Sequence, residues 1–201
     1  MDDCSGRVGL EMSELYDWFR KKISDSIGGL PSPRGVAVML AACERMFGVL
    51  AQIDLQGACD SPQLRRILDA MWDGQVLELE DATFPGDLEV DSLSVELGMM
   101  AADSIKMARD LVVQGVGTVD DILLMAVDMA NAIDAAQEDP LEAGLGLIDS
   151  FLVIPDSCVS VEVKRQFSDI SDQYGGDKEV IARQSLHAGS TSQDLTCGMS
   201  F

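Results

Sequence analysis

The sequence has only one histidine, His187, and its aromatic residues amount to 5% of the 201 positions. A single histidine cannot supply a His-Glu-x-x-His zinc site or a di-iron site built from two Glu-x-x-His pairs. His187 also falls in a Gly- and Ser-rich C-terminal stretch, a poor setting for a Ser-His-Asp triad. Neither a P-loop nor a G-x-G-x-x-G turn after a strand is present. We therefore predict no catalytic residue, no metal site and no cofactor.

Cysteines are few and widely separated. The five do not form any C-x-x-C pair, so their spacing indicates neither a zinc site nor a redox motif. The opening residues, MDDCSGRVGLEM, lack the basic and then apolar segments of a signal peptide. Apolar runs are interrupted by charge or glycine before the roughly 18 residues that a membrane span requires. These features predict a soluble protein of a reducing compartment, the cytoplasm.

Basic residues are scarce as well. Lys and Arg number 14 against 35 Asp and Glu, which gives a formal net charge of −21. Nucleic acids and anionic membranes would repel such a chain, so neither is predicted as a partner. The same charge favours a basic protein as partner, although acidity also serves solubility alone.

Helix-forming patterns are abundant. Hydrophobic residues make up 47% of the chain, which excludes global disorder. Helix-start signals precede apolar stripes of 3.6-residue period at five places: Ser13, Ser32-Pro33, Ser61-Pro62, Thr118 with Asp121, and Asp139-Pro140. Period-two strand patterns are weak. We predict an all-α fold, a compact single-domain helical bundle of about seven helices over residues 13–174. A flexible N-terminus (1–12) and a mobile Gly/Ser-rich tail (175–201) flank it.

One apolar stretch, VAVMLAACERMFGVLAQI, carries two charges at its centre, Glu44 and Arg45. Adjacent residues of a helix point about 100° apart, so these two face different directions. The next predicted helix contains Arg65, Arg66 and Asp69. We predict ion pairs between the two helices, Glu44 with Arg65 or Arg66 and Arg45 with Asp69. A structural role is favoured over catalysis for all five residues.

The same two helices carry a family resemblance. The element Cys-Glu-Arg-Met at 43–46 is followed by Arg-Arg-Ile-Leu-Asp at 65–69 and by Trp72. This combination resembles the YjaG-like bacterial family, called domain of unknown function 416, most clearly over residues 36–73 and more weakly to about residue 155. The resemblance implies an all-helical cytosolic bacterial protein with no assigned activity. This chain departs from the family in being longer at both ends.

Acidic residues are concentrated in the middle of the chain. Residues 67–105 include ten acids and neither Lys nor Arg. A surface of one sign attracts a partner of the opposite sign and accelerates its association. We predict that the partner-binding residues are Glu78, Glu80, Asp81, Asp87, Glu89 and Asp91.

These features together favour a non-enzymatic acidic protein-binding module. The most specific hypothesis is an immunity-type inhibitor of a cationic bacterial toxin, the toxin being encoded by a neighbouring gene. One alternative is a housekeeping helical protein that self-associates through Met-rich faces. Another is a Mg²⁺-dependent hydrolase that uses paired carboxylates, for which Glu78 with Asp81 and Glu138 with Glu142 have the nearest spacing.

Overall fold

The computed structural model describes residues 5–27, 33–51, 61–75, 93–137, 146–148 and 151–171. Within these ranges the chain forms six helices and one short antiparallel hairpin. The elements are α1 (Ser5–Ile27), α2 (Pro33–Leu50), α3 (Ser61–Trp72), α4 (Leu93–Gln114), α5 (Val119–Ala136), β1 (Gly146–Ile148), β2 (Phe151–Val153) and α6 (Cys158–Ser171). The predicted all-α class is confirmed, with six helices in the described residues where about seven were expected.

Several helix starts agree with the local sequence signals. α2 begins at Pro33, because proline needs no hydrogen-bonded N–H in the first turn of a helix. Thr118 caps α5: its hydroxyl accepts from the Asp121 N–H at 3.3 Å and donates to the Asp121 carboxylate at 2.7 Å. The predicted start at Ser13 is wrong. α1 begins at Ser5, so the segment predicted as a flexible N-terminus already contains helix from residue 5 onward.

The end of α3 shows how a glycine stops a helix. Gly74 has a φ of 69°, in the left-handed region that favours glycine. Its N–H donates to the Met71 carbonyl at 3.1 Å, and the Gln75 N–H donates to the Ala70 carbonyl at 2.7 Å. This pair of bonds is the Schellman arrangement, which satisfies two carbonyls that the helix itself leaves without partners. Glycine directly after an apolar helical stripe predicts such a stop, and α3 ends at Trp72, two residues before Gly74.

The hairpin replaces a predicted helix. The Asp139-Pro140 signal predicted a helical restart, but β1 pairs with β2 in the register Gly146–Val153, Leu147–Leu152 and Ile148–Phe151. Glycine weakens a helix interior, and valine and phenylalanine favour strands. Only two residues separate the strands, the spacing of a tight hairpin. The predicted helix is therefore wrong for residues 146–148 and 151–153.

α2 lies at the centre of the molecule. It contacts α3, α4, α5 and α6, and every side chain from Ala37 to Met46 is buried. A helix buried on all sides cannot place its charged residues in solvent. Glu44 and Arg45 are therefore interior residues, each only 2% exposed. None of the helices in the described ranges has both the length and the apolarity that crossing a membrane requires.

The two cysteines whose side chains are described differ in state. Cys43 is a free thiol within α2, and burial raises the pKa of this thiol to about 12. It therefore stays protonated near neutral pH, which does not suit a nucleophile. Cys158 is disulfide-bonded. A disulfide is more typical of an oxidising compartment, so Cys158 counts against the predicted reducing one.

Candidate functional site

The interior contains an ionic network that joins α2 to α6. The Arg45 guanidinium donates from Nε to Glu162 Oε2 at 2.9 Å and from Nη2 to Glu162 Oε1 at 2.9 Å. Its Nη1 donates to Asp169 Oδ2 at 3.0 Å. Arginine's planar fork matches a carboxylate in this two-point geometry, which lysine cannot reproduce. One α2 side chain thus fixes the position of α6 at two points.

The carboxylates of this network favour the charged form of the Arg45 guanidinium. Burial acts to lower the pKa of the Arg45 guanidinium, but Glu162 and Asp169 outweigh it and the pKa lies above its ordinary value. Gln166 extends the network, because its Nε2 donates to Glu162 Oε1 at 2.7 Å and to the Leu123 carbonyl at 3.0 Å. The network therefore ties α2, α5 and α6 together.

A second ionic group joins α2 to α3. Glu44 accepts from Arg65 Nη1 at 2.6 Å and Nη2 at 2.5 Å, and from the Trp72 indole N–H at 2.8 Å. Arg65 also donates to Asp69 at 2.6 Å, and its guanidinium carbon lies 5.1 Å from the centre of the Phe47 ring. Burial opposes the charge of Arg65, but Glu44 and Asp69 raise the guanidinium pKa above its ordinary value. Three N–H donors thus bind one buried carboxylate, and Arg65 supplies the opposite charge.

The predicted pairs are partly present. The structure contains the Glu44–Arg65 pair. The predicted pairing of Arg45 with Asp69 is wrong, because Asp69 binds Arg65 within α3. The 100° between Glu44 and Arg45 directs the first toward α3 and the second toward α6. Arg66 is exposed and belongs to neither ionic group as described.

Sequence reasoning missed the partners of Arg45, although α6 carries a signal for them. Glu162, Gln166 and Asp169 recur at intervals of four and three, which places them on one helix face. That polar face runs beside the apolar face of Val163 and Ile170. A polar stripe of this kind within a core helix predicts a buried partner, but it does not say which helix provides it.

The burial of the two ionic groups suits a structural role and not catalysis. Arg45 is 2% exposed, Glu162 is 0% exposed, and Glu44 is 2% exposed, so no substrate reaches them. Among the residues that the structure describes, no three His, Cys, Asp or Glu side chains are grouped to hold a metal ion. The predicted partner-binding acids all lie outside the described residues, as do the carboxylate pairs of the hydrolase alternative: Glu78, Glu80, Asp81, Asp87, Glu89, Asp91, Glu138 and Glu142.

A surface cleft between α1 and α5 is the candidate binding site. It encloses about 300 Å³ and combines three carboxylates, one guanidinium, one phenol and two apolar side chains. Its lining consists of Tyr16, Asp17, Arg20, Asp121, Leu124, Met125 and Asp128. The first three come from α1 and the others from α5, so contact between these two helices creates the cleft. Spacing within either helix alone does not predict it.

The polar groups of the cleft are organised in two pairs. Arg20 Nη2 lies 3.5 Å from Asp121 Oδ1, and the two side chains are 57% and 39% exposed. Tyr16 and Asp128 form the second pair across the two helices; burial, followed by the hydrogen-bonding and charge effects of Asp128, raises the pKa of the phenol above its ordinary value. The phenol is therefore neutral at physiological pH. The cleft as a whole has more negative than positive charge.

Asp134 positions α6, and with it the partners of Arg45. Its carboxylate, at the C-terminal end of α5, accepts from the backbone N–H groups of Cys158 at 2.8 Å and Val159 at 2.9 Å. These N–H groups are among those that the first turn of α6 leaves unpaired. Burial raises the pKa of the Asp134 carboxyl, although both backbone bonds act to lower it. An acid from one helix thus caps the next.

Replacing Asp134 by alanine is expected to lower the free energy of unfolding by about 1–2 kcal/mol, the usual loss when a helix cap is removed. Asp134→Asn is an intermediate variant, because its one carbonyl oxygen can accept from only one of the two N–H groups that the carboxylate binds. Urea unfolding of the wild type and both variants measures the difference. An alanine variant as stable as the wild type would contradict the capping role.

No protein-family model, no curated protein and no solved structure matches this chain. The resemblance to the YjaG-like family therefore stays a prediction based on residues 43–46, 65–69 and Trp72.

Proposed function

We propose that this chain is a non-enzymatic acidic module that binds a basic protein, and that it is an immunity-type inhibitor of a cationic bacterial toxin encoded by a neighbouring gene. The observation that carries the proposal is the cleft between α1 and α5. Asp17, Asp121 and Asp128 line it, and Arg20 is the only cation among its lining residues. A concave surface with this charge suits a cationic side chain of a partner.

The use of arginine elsewhere supports the same proposal. Arg45 and Arg65 neutralise carboxylates in the interior, and Arg109 lies 3.0 Å from Asp110. α5, in contrast, has four aspartates and neither lysine nor arginine in its 18 residues. Three of the 14 basic residues are therefore engaged in ion pairs within the protein, and the chain as a whole has a net charge of −21. Such a field raises association rates with a basic protein by roughly 10- to 10³-fold.

The self-association alternative receives less support. It requires methionine-rich faces at the surface, but Met39, Met46, Met71 and Met129 are all buried in the core. These four side chains already contribute to packing within one chain. The other four methionines whose side chains are described are partly buried: Met99, Met100, Met107 and Met125. None of the eight is fully exposed, so they do not form an exposed Met-rich face.

The proposal is tested by co-expressing this chain with the basic product of the neighbouring gene. We expect a complex that survives gel filtration at low salt and a loss of the growth inhibition that the neighbouring product causes alone. An unrelated protein of similar positive charge is the control. Equal binding to the control would show that the chain binds any protein of similar positive charge and has no specific partner. Failure to protect cells would reject the immunity role.

A further inference from the structure

We propose that the cleft between α1 and α5 binds a guanidinium side chain, an arginine of the basic partner, and that Arg20 occupies its place in the free protein. This inference rests on the proposed function and deepens it by naming the recognition site. Three observations support it: the size of the cleft, the chemistry of its lining, and the long contact that Arg20 makes there.

The size of the cleft fits one extended side chain. Its volume of about 300 Å³ lies at the lower end of the range for small-molecule sites. Leu124 and Met125 contribute apolar surface. The methylene stem of an arginine packs against such surface while its charged end reaches polar groups.

The carboxylates of the cleft suit the charged end. Asp17 and Asp128 are exposed, line the cleft and lie on opposite helices. Carboxylates bind the planar guanidinium through paired N–H···O bonds, which gives a preference for arginine over lysine. The site therefore has an apolar wall for the stem and carboxylate acceptors for the end group.

Arg20 shows that a guanidinium already sits in this cleft. Its Nη2 lies 3.5 Å from Asp121 Oδ1, and its side chain is 57% exposed. Exposed pairs at such distances contribute little to stability, so Arg20 is displaced easily by a stronger competitor. Arg20 thus lowers the apparent affinity of the cleft for an external guanidinium.

The test uses L-argininamide as the probe and follows backbone amide resonances of the full chain. We expect saturable shifts in α1 and α5. Arg20→Gln is expected to increase the affinity by about 2- to 5-fold, in line with the strength of exposed ion pairs. Lys21→Gln is the matched control, because Lys21 is the next residue of α1, is exposed and does not line the cleft. An equal gain for both variants would show that only net charge matters and would overturn the proposal.

A second pair of variants tests the acceptors. Asp128→Asn is expected to weaken argininamide binding by about 2- to 5-fold. Asp103→Asn makes the same chemical change at an exposed position of α4 outside the cleft and should leave the affinity unchanged. Shifts centred on other helices, or equal losses for the two variants, would overturn the assignment. Melting curves confirm that these surface variants fold.

The same variants separate this inference from the proposed function. A basic partner that binds wild type, Arg20→Gln and Asp128→Asn equally well would leave the binding module in place and reject the cleft as its site. If argininamide binds at the cleft but no basic protein binds the chain, the proposed protein-binding function is rejected and the guanidinium site remains.

Discussion

Replacing Arg45 by methionine is expected to lower the free energy of unfolding by about 3–5 kcal/mol, the usual loss when one partner of a buried ion pair is removed. Methionine fills a similar space, so the loss reflects charge and not a cavity. Glu162 and Asp169 would keep their charges within the core without the guanidinium that now lies 2.9 and 3.0 Å away. Denaturant unfolding monitored by circular dichroism measures the change.

Two further variants separate the charge effect from general sensitivity of the chain. Arg66→Met removes an exposed arginine of α3 and is expected to stay within about 0.5 kcal/mol of wild type. Adding Glu162→Gln and Asp169→Asn to Arg45→Met should restore part of the lost stability, because amides leave no buried charge. A variant Arg45→Met as stable as wild type would show that the pair has no structural role, and a concurrent loss of partner binding would then make Arg45 functional.

Reversing three acids of the acidic middle segment (residues 78–91) is expected to slow association with the basic partner by roughly 10-fold at low salt, because the net charge changes from −21 to −15 and the negative field that steers encounter is weakened. The substitutions are Glu78→Lys, Asp81→Lys and Asp87→Lys. These residues lie outside the described ranges, and the expectation rests on their charge. At about 1 M salt the Debye length falls to roughly 3 Å, so the difference between variant and wild type should largely disappear.

A charge-matched control shows whether position matters. Asp73→Lys, Glu96→Lys and Asp103→Lys change the net charge equally at exposed positions that lie outside residues 78–91 and outside the cleft. Stopped-flow association rates at low and high salt compare the three proteins. A smaller effect for the control locates the docking surface near the middle segment. Equal rates for all three proteins at both salt concentrations would remove the electrostatic argument.

The sequence predicts local features well where the determinants are neighbours in the chain. The Thr118 cap involves a residue three positions away, and the Gly74 stop depends on the conformation of a single residue. The Glu44–Arg65 pair spans 21 residues and joins two consecutive helices, so few arrangements compete with it. Short connections bring consecutive helices together in most bundles.

Features that depend on which helices meet are harder to predict. The partners of Arg45 lie 117 and 124 residues later in the chain. Asp69 lies on the helix that follows α2, so local spacing favoured it as the partner of Arg45, and that prediction was wrong. The sequence does not predict the cleft for the same reason, because Asp17 and Asp128 come together only through the contact of α1 with α5. The hairpin at 146–153 was missed because short apolar runs do not distinguish strand from helix.

The long separation between Arg45 and its partners also sets an order of events during synthesis. Ribosomes add about 5–20 residues per second, so the 124 residues between Arg45 and Asp169 require about 6–25 s. The 21 residues between Glu44 and Arg65 require only about 1–4 s. A nascent chain can thus form its α2–α3 contact early, but Arg45 keeps its hydration until α6 has left the ribosome. Burial of α2 is therefore a late step, because the core cannot close before α6 has been synthesised.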